Sequence, residues 1–315
     1  MEIVRHPRSP GAASRGCVVS IGNFDGVHVG HQAIIRQLRG HAEEMRLPVV
    51  VVMFEPQPQE FFAPESAPPR LTSFREKCLI LRQAGVDRLV CLRFTASLAR
   101  LSPAEFVDRL LVTALAARCI VVGDDFRFGR DREGDYPQLT VLAGDRGFEV
   151  VCAQTCLFEG VRVSSSRVRE ALLAGEIRAA TAMLGRTFRL IGRVVTGDQR
   201  GRELGYPTAN VDLGGRTPPL RGVFAVRVRG LAGGVHDGVA NVGTRPVFGG
   251  GRALLEVHLF GFDANIYGRR IEVEFVQRLR DEQRFESVRQ LQEQIARDCD
   301  AARSCLGTHS AQGKG

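Results

Sequence analysis

The sequence predicts a doubly wound α/β domain followed by a small antiparallel β-barrel that ends in a helix. Up to about residue 184, short β-branched runs alternate with segments of helical spacing, which is typical of a Rossmann-like parallel sheet. From about Phe188 onward, strand-like runs follow one another with Gly-rich turns between them, which indicates an antiparallel barrel. Because 315 residues suit two domains, we expect one at 1–184, a second at 185–306 and a disordered tail at 307–315.

The parallel sheet is expected to contain strands at 17–21, 48–54, 88–93, 119–122 and 148–152, each a short apolar run. Helical patterns fill the intervals at 31–45, 73–84, 103–116 and 136–145, and Ser73 and Ser102 stand where N-caps are expected. Right-handed crossovers bring the carboxyl ends of such strands to one edge of the sheet, where ligands bind.

The barrel is expected to contain strands at 188–195, 222–228, 238–242, 253–260 and 271–275, followed by a helix at 287–301. Val288, Leu291 and Ile295 recur at helical spacing and give this last helix one apolar face.

The composition limits the classes of function. The net charge of +8 comes from basic residues spread along the whole chain, so we expect no nucleic-acid partner. No apolar run approaches the roughly 18 residues of a membrane span, and residues 1–15 lack the apolar core of a secretory signal, so we expect no membrane partner and a cytoplasmic location. The eight cysteines are scattered, and we expect neither disulfides nor a structural metal site.

Lysine is nearly absent, and this restricts the ways in which the protein could bind a nucleotide, should it act on one. Lys77 and Lys314 are the only two lysines, and no G-x-x-x-x-G-K-[ST] motif is present. Phosphate chemistry must therefore use His, Arg, hydroxyl groups, backbone N–H groups and a metal ion.

The first candidate site follows the first predicted strand. His28 and His31 flank Gly30 at the start of a predicted helix, whose free N–H groups and partial positive charge attract phosphate. The imidazoles add hydrogen-bond donors, and glycine lets a nucleotide approach the backbone. The alternative is a pair of turn histidines with a purely structural role.

A second group of polar residues begins another predicted helix. Three hydroxyls and two cations lie together at Ser164, Ser165, Ser166, Arg167 and Arg169, which suits a phosphate cradle. The alternative is that at least one serine is simply an N-cap.

The barrel half contains a third candidate. Thr208 and Asn210 end a Gly-punctuated loop and offer hard oxygen ligands for Mg²⁺, although a solvent-facing hairpin would look the same. Further on, strand alternation places Glu256 and His258 on one face, where a carboxylate could take a proton from an alcohol. The alternative is an exposed polar face.

The segments GNFDGVHVGHQ, FEPQPQEFF, PPRLT, GDDFRFGRDREGD and VSSSRVR, in this order, resemble the nucleotidyltransferase module of bacterial bifunctional riboflavin kinase/FAD synthetases over residues 15–184. The resemblance implies that FMN phosphate attacks the α-phosphorus of ATP. Two departures are Ser166, where Thr is common in the family, and Asp124–Asp125, where the family often has Asn. The implied catalytic residues are His28, His31, Ser165 and Arg167; the implied ATP-binding residues are Gly22, Asn23, Phe24, Asp25, Gly30, Asp125, Ser164, Ser166 and Arg169; the implied flavin-binding residues are Phe54, Pro56, Pro58 and Phe128.

The segments GxxxGRxxGYPTAN, RGVFAVRV, GVANVGTRPVFGG, LLEVHLF and IYGRRIEVEFVQRLRDEQRFES resemble the riboflavin kinase module of the same family over residues 186–300. The resemblance implies Glu256 as general base, Thr208 and Asn210 at Mg²⁺ and ATP, and FMN and FAD as successive products. Mn²⁺ is chemically allowed in place of Mg²⁺. The remaining implied nucleotide and flavin residues are Gly201, Arg202, Gly205, Pro207, Asn241, Gly243, Thr244, Arg245, Arg280 and Asp281.

Two other functions are compatible with parts of this pattern. The His-x-Gly-His segment could transfer a nucleotidyl group to another acceptor, such as nicotinamide mononucleotide or a pantetheine phosphate. A regulator could instead bind flavin or nucleotide without turnover and use its basic surface on nucleic acid. Riboflavin, FMN and ATP are the expected small-molecule partners, and self-association is left undetermined.

Overall fold

The computed structural model describes residues 1–5, 15–197, 201, 204–245 and 252–310. Two units are distinguished by their internal contacts. The first comprises Met1–Pro68 and Thr72–Ser164, and the second comprises Pro69–Leu71 and Ser165–Gly315. This division lies earlier in the chain than the expected boundary at 184/185, because the two helices that follow Ser164 belong to the second unit.

The first unit is built on a six-stranded sheet in which every pair of neighbours is parallel. The strand order is β1-β4-β3-β2-β5-β6. The strands are β1 (Glu2–Val4), β2 (Cys17–Ile21), β3 (Val49–Glu55), β4 (Arg88–Arg93), β5 (Ala117–Val122) and β6 (Glu149–Cys152), followed by a small hairpin of β7 (Leu157–Phe158) and β8 (Val161–Arg162). The predicted parallel sheet is confirmed, and β1 is an addition at its edge.

Helices cover both faces of this sheet. They are α1 (Val29–Met45), α2 (Pro58–Phe62), α3 (Phe74–Gln83), α4 (Ala96–Ala99), α5 (Pro103–Phe106) and α6 (Tyr136–Arg146). The predicted caps are present: Ser73 and Ser102 each form a capping box with the Glu three residues later. The predicted helix at 103–116 consists of α5 followed directly by a π-helix, Val107–Ala114.

Alternate residues of the central strands enter two separate cores. Val19 belongs to a core with Phe106 and Leu139, whereas Val18 belongs to a core with Ile35 and Leu81. This alternation with both faces buried explains why the strands read as continuous apolar runs. It also confirms the doubly wound arrangement.

The second unit contains a closed barrel of antiparallel strands in the order β10-β13-β12-β11-β14-β9. The strands are β9 (Arg189–Val195), β10 (Ala209–Asp212), β11 (Gly222–Leu231), β12 (Gly234–Arg245), β13 (Arg252–Leu259) and β14 (Arg270–Arg280), and the helices are α7 (Ser165–Ala174), α8 (Ile177–Leu184) and α9 (Val288–Ser310). The predicted barrel is confirmed, with β10 as a strand in a segment where the sequence predicts a loop.

Helix α9 packs against the outside of the barrel. Ala302 and Leu306 are buried in a cluster with Ala225 of β11. The helix continues through residues 307–310, for which the sequence predicts a tail, and residues 311–315 lie outside the described part of the chain. In the part of the chain that the structure describes, no helix is both long and apolar enough to cross a membrane.

Candidate active sites

The histidine pair lies at the N-terminus of α1, directly after the carboxyl end of β2. His28 is the N-cap, and its Nδ1 accepts a hydrogen bond of 3.4 Å from the backbone N–H of His31. The two rings stack with their centroids 3.7 Å apart. This hydrogen bond and the ring stacking fix the orientation of the His28 ring at the start of α1.

His31 is held as a neutral imidazole. Burial, followed by the positive charges of His28 and Lys77, keeps the pKa of His31 well below its usual value. Its Nδ1 is buried and has no hydrogen-bond partner in the described part of the chain. A buried polar atom of this kind is costly in the absence of a partner, which makes it a candidate ligand contact.

The ring of His28 lies close to the backbone of Gly30. A Cβ on Gly30 would lie 3.1 Å from both Cε1 and Nδ1 of the His28 ring. The ring would have to move by a few tenths of an ångström to accept it. A similar contact occurs at Gly22, where a Cβ would lie 3.3 Å from the ring of Phe24.

Hydrogen bonds of the buried residues Asp25 and Lys77 hold the loop between β2 and α1 in place. Asp25 is buried and accepts hydrogen bonds from the backbone N–H of Thr72 at 3.2 Å and from its hydroxyl at 3.3 Å. Lys77 is fully buried, and its Nζ donates to the carbonyl oxygen of Asn23 at 2.6 Å. Phe24, with φ at 47°, is also buried, and its ring lies 4.9 Å from that of His31. Asn23 and Asp25 therefore shape the loop, and their contact with a nucleotide stays a prediction.

Sequence reasoning did not single out Lys77 as a site residue. It combines full burial, a contact to the histidine loop and an electrostatic effect on His31. The only feature of the sequence that could have drawn attention to Lys77 is that it is one of just two lysines in the chain.

An aromatic cavity of about 630 Å³ lies in the first unit, at the carboxyl ends of β2 and β3. Phe54, Pro58 and Phe128 line it and Pro56 does not, and the flavin contacts of all four stay predictions. The rings of Phe54 and Phe94 meet edge to face at 5.6 Å. The volume and apolar lining fit a cofactor-sized planar ligand.

The wall of this cavity is completed by a second aromatic group. Phe126 and Phe128 stack with centroids 5.4 Å apart, and Phe106 lies 5.6 Å from Phe128. A Cβ on Gly134 would lie 2.7 Å from the Phe128 ring, so a glycine is needed for this close packing.

Asp125 is engaged with an arginine in this structure. Arg162 donates to Asp124 at 2.5 Å and to Asp125 at 2.7 Å. Burial opposes the charge of Arg162, but the hydrogen bonds and charges of the two carboxylates raise its pKa. If Asp125 binds ATP as predicted, its carboxylate must leave Arg162 or bind both groups at once. The sequence analysis missed Arg162.

The predicted phosphate cradle falls at the division between the units. Ser164 ends the first unit, whereas Ser165, Ser166 and Arg167 begin α7 in the second. Arg169 donates through Nε to the carbonyl oxygen of Pro69 at 2.7 Å, within the second unit. The roles predicted for this segment stay predictions.

In the barrel, three polar residues form a row across adjacent strands. Glu256 of β13 pairs with Asn210 of β10 on one side and with Asn241 of β12 on the other. Directly opposite residues of antiparallel strands project from the same face, with Cβ atoms roughly 5 Å apart. Leu255 and Val257 are buried on the opposite face, so the row lies outside the barrel core.

Two glycines lie in close contact with Asn210 and Thr208, the residues predicted to offer oxygen ligands to a metal ion. A Cβ on Gly197 would overlap the side-chain amide of Asn210, and a Cβ on Gly201 would lie 2.9 Å from the Thr208 hydroxyl. Gly205 has φ at 83°, a conformation that favours glycine. Arg202 lies outside the described residues.

A second cavity of about 380 Å³ opens beside Thr208 and Pro207. Phe262, Ile266 and Tyr267 contribute apolar surface to it. His258, on the same face as Glu256, lies 2.9 Å through Nδ1 from the carbonyl oxygen of Pro207, which ties the loop to β13.

Arg280 and Asp281, which are predicted to lie near the flavin, form ion pairs with other side chains of the protein. Arg280 forms a two-pronged ion pair with Asp298 of α9, at 2.9 Å from Nε to Oδ1 and 2.8 Å from Nη2 to Oδ2. Asp281 accepts from Arg278. The bond to Asp298, which the sequence analysis missed, anchors α9 to the end of β14.

Gly243, Thr244 and Arg245 form the end of β12. A Cβ on Gly243 would overlap the carboxylate of Glu282, so a larger residue there would displace that exposed side chain. Only the backbone of Thr244 and Arg245 is described.

Comparison with known proteins assigns both halves of the chain. The family model described as FAD synthetase matches residues 11–167, and the model described as riboflavin kinase matches residues 184–306. A bifunctional riboflavin kinase/FMN adenylyltransferase of Pseudomonas fluorescens is 50% identical over 305 residues, which cover 96% of this chain and 97% of that protein. The chain belongs to the bifunctional riboflavin kinase/FMN adenylyltransferase family.

Other relatives agree with this assignment. The protein of the same description from Escherichia coli (strain K12) is 47% identical over 296 residues, which cover 94% of this chain and 95% of that protein. A crystal structure of a protein from Streptococcus pneumoniae, named there a macrolide-efflux protein, is 32% identical, with a TM-score of 0.83 over 96% of this chain and 99% of that one. That name applies to the Streptococcus protein, and the likeness supports the architecture. The family resemblance inferred from the motifs is confirmed.

Proposed function

We propose that this enzyme phosphorylates riboflavin to FMN in the barrel and then transfers AMP from ATP to FMN in the sheet unit, giving FAD and pyrophosphate. The observation that carries the proposal is that each unit has its own reactive group: the Asn210–Glu256–Asn241 row in one and the His28–His31 pair in the other. The proposed catalytic domains are 1–184 and 185–306.

In the phosphorylation step, Glu256 takes the proton from the terminal ribityl hydroxyl. The oxygen then attacks the γ-phosphorus of ATP, and ADP leaves. A carboxylate between two asparagines suits this role, because the amides can orient it while it stays able to accept a proton. The cavity beside Thr208 offers apolar surface for the nucleotide.

The donors in the barrel fit Mg²⁺, and Mn²⁺ is chemically allowed. Thr208 and Asn210 supply hard oxygen atoms, and the absence of a Cβ at Gly197 and Gly201 lets these two side chains lie against the loop backbone. When bound, the ion would neutralise charge on the transferred phosphoryl group. The residues assigned to the surrounding nucleotide and flavin loops are Gly201, Arg202, Gly205, Pro207, Asn241, Gly243, Thr244, Arg245, Arg280 and Asp281.

In the adenylylation step, a phosphate oxygen of FMN attacks the α-phosphorus of ATP, and pyrophosphate leaves. The N-terminus of α1 attracts the phosphates, and the rings of His28 and His31 donate hydrogen bonds to the developing charge. No side chain needs to form a bond, since positioning and charge stabilisation suffice. Ser165 and Arg167 of α7 are the further proposed donors.

The isoalloxazine ring is proposed to occupy the aromatic cavity. Phe54, Pro58 and Phe128 offer flat apolar surface, and the carboxyl edge of a doubly wound sheet is where such ligands bind. The proposed partners are riboflavin, FMN and ATP, and the proposed location is the cytoplasm.

The test is a time course of purified protein with riboflavin, ATP and Mg²⁺, with the flavins separated by chromatography. FMN should appear first and FAD afterwards. FAD without prior FMN, or no flavin product from folded protein, would contradict the proposal. Replacing FMN by nicotinamide mononucleotide or phosphopantetheine should give no pyrophosphate.

A further inference from the structure

A cluster of three potential metal ligands lies in the first unit. His41 is on α1, Cys119 is in β5, and Glu149 begins β6. Cys119 and Glu149 are direct neighbours in the parallel register of β5 and β6. Cys119 also belongs to the core that packs against α1, so its side chain and His41 share one face of the sheet.

The ligand atoms are close enough to share one ion. An imidazole nitrogen of His41, Sγ of Cys119 and a carboxylate oxygen of Glu149 all lie within 4.8 Å of one another. Cys119 is fully buried, His41 is half-buried, and Glu149 is exposed, so an ion can enter from the carboxylate side. Rotation of these side chains toward a shared ion would give coordination distances of roughly 2.0–2.3 Å.

In the part of the chain that the structure describes, these three side chains have no other polar partner. Within the described residues, no hydrogen bond or ion pair involves the imidazole of His41, the thiol of Cys119 or the carboxylate of Glu149. Three neighbouring groups, each from a different secondary-structure element, can therefore bind an ion without losing another polar contact among the described residues.

We propose that His41, Cys119 and Glu149 bind a zinc ion, with water completing the coordination. A nitrogen, a sulfur and an oxygen ligand form a set that Zn²⁺ accepts. Mg²⁺, the ion proposed for the nucleotide reactions, prefers oxygen ligands and binds poorly to a site with a sulfur ligand. The site lies toward the amino ends of β5 and β6, whereas the aromatic cavity lies at the carboxyl ends of β2 and β3.

Binding must displace a proton from the thiol. Burial, and then the negative charge of Glu149, raises the pKa of Cys119 to about 12. The thiol is therefore protonated without an ion, and coordination releases this proton to solvent. The ion would join α1, which carries His28 at its start, to β5 and β6.

The test is a titration of the full chain, without an affinity tag, with Co²⁺ as a spectroscopic probe for Zn²⁺. One equivalent should produce a thiolate-to-cobalt absorption band that Zn²⁺ abolishes and excess Mg²⁺ leaves unchanged. Cys119→Ser should lose the band. His41→Ala and Glu149→Gln, which change less buried side chains, should weaken Co²⁺ binding at least about tenfold.

The matched control is Cys152→Ser, which removes an exposed thiol of β6 and should leave the band intact. Zn²⁺ should also raise the unfolding temperature of the wild type and of this control, but not of His41→Ala. Absence of a thiolate band in the wild type would overturn the proposal. So would its persistence in Cys119→Ser, or an equal thermal shift in His41→Ala.

Discussion

The two reactive groups are assembled in different ways. In the sheet unit, Gly22 to His31 form one continuous segment, and the end of β2 with the start of α1 fixes its geometry. In the barrel, Asn210, Glu256 and Asn241 come from three strands far apart in the chain and meet only through strand register. A local motif can therefore reveal the first group, whereas the second depends on the complete barrel.

They also differ in electrostatics. The histidine pair is largely buried, and His31 is kept neutral by burial and nearby cations. Glu256 lies on the outer face of the barrel between two amides, with solvent in reach. The sheet site is thus suited to donate hydrogen bonds, and the barrel site to accept a proton.

The largest expected effect tests the barrel side of this comparison. Glu256→Gln keeps the shape but removes the base, and riboflavin phosphorylation should fall about 10²- to 10⁴-fold. FAD formation from added FMN should be unchanged, as measured by chromatography. Loss of both reactions in folded protein would mean that the sites are not separate.

The next effect tests the sheet side. His28→Ala removes the N-cap and a donor, so adenylylation of FMN should fall about 10²- to 10³-fold. Phosphorylation of riboflavin by the same preparation is the internal control. A drop of similar size in phosphorylation would count against the assignment.

A smaller effect on adenylylation is expected from removing the positive charge of Lys77. Lys77→Met should lower the adenylylation rate about tenfold, because a charge-assisted bond to Asn23 is lost. Without this cation, the pKa of His31 rises, so His31 becomes protonated at a higher pH. The acid limb of the pH–rate profile should therefore move to higher pH. A slower enzyme with an unmoved acid limb would leave Lys77 a purely structural role.

The smallest effect has a matched control in the same helix. Gly30→Ala pushes a Cβ against the His28 ring at 3.1 Å and should slow adenylylation about fivefold. Gly40→Ala in α1 meets nothing within 4 Å and should leave the rate unchanged while stabilising the helix by up to about 1 kcal/mol. Equal rates for the two variants would show that the ring position is not critical.

Sequence reasoning predicted most of the fold because its signals are local. The buried strands at 17–21 and 88–93 agree with β2 and β4 in their bounds, since apolar runs end where turn residues begin. β1 and β10 were missed because strands of 3 and 4 residues carry little pattern, and pairing with distant strands decides their state.

The candidate sites were predicted less completely. The sequence did not reveal which side chains pair when they are separated along the chain. Examples are the pairs Arg280–Asp298 and Arg162–Asp125. Each pairing depends on how separate elements pack, which spacing along one chain does not encode.

The most direct test of two independent sites is complementation between two variants, each of which lacks one of the two activities. His28→Ala and Glu256→Gln proteins are mixed in equal amounts with riboflavin, ATP and Mg²⁺, and FAD is measured over time. Each protein alone should make almost no FAD. The mixture should make it readily, because FMN released by the first chain is adenylylated by the second. A mixture that forms no more FAD than the separate proteins would contradict the account.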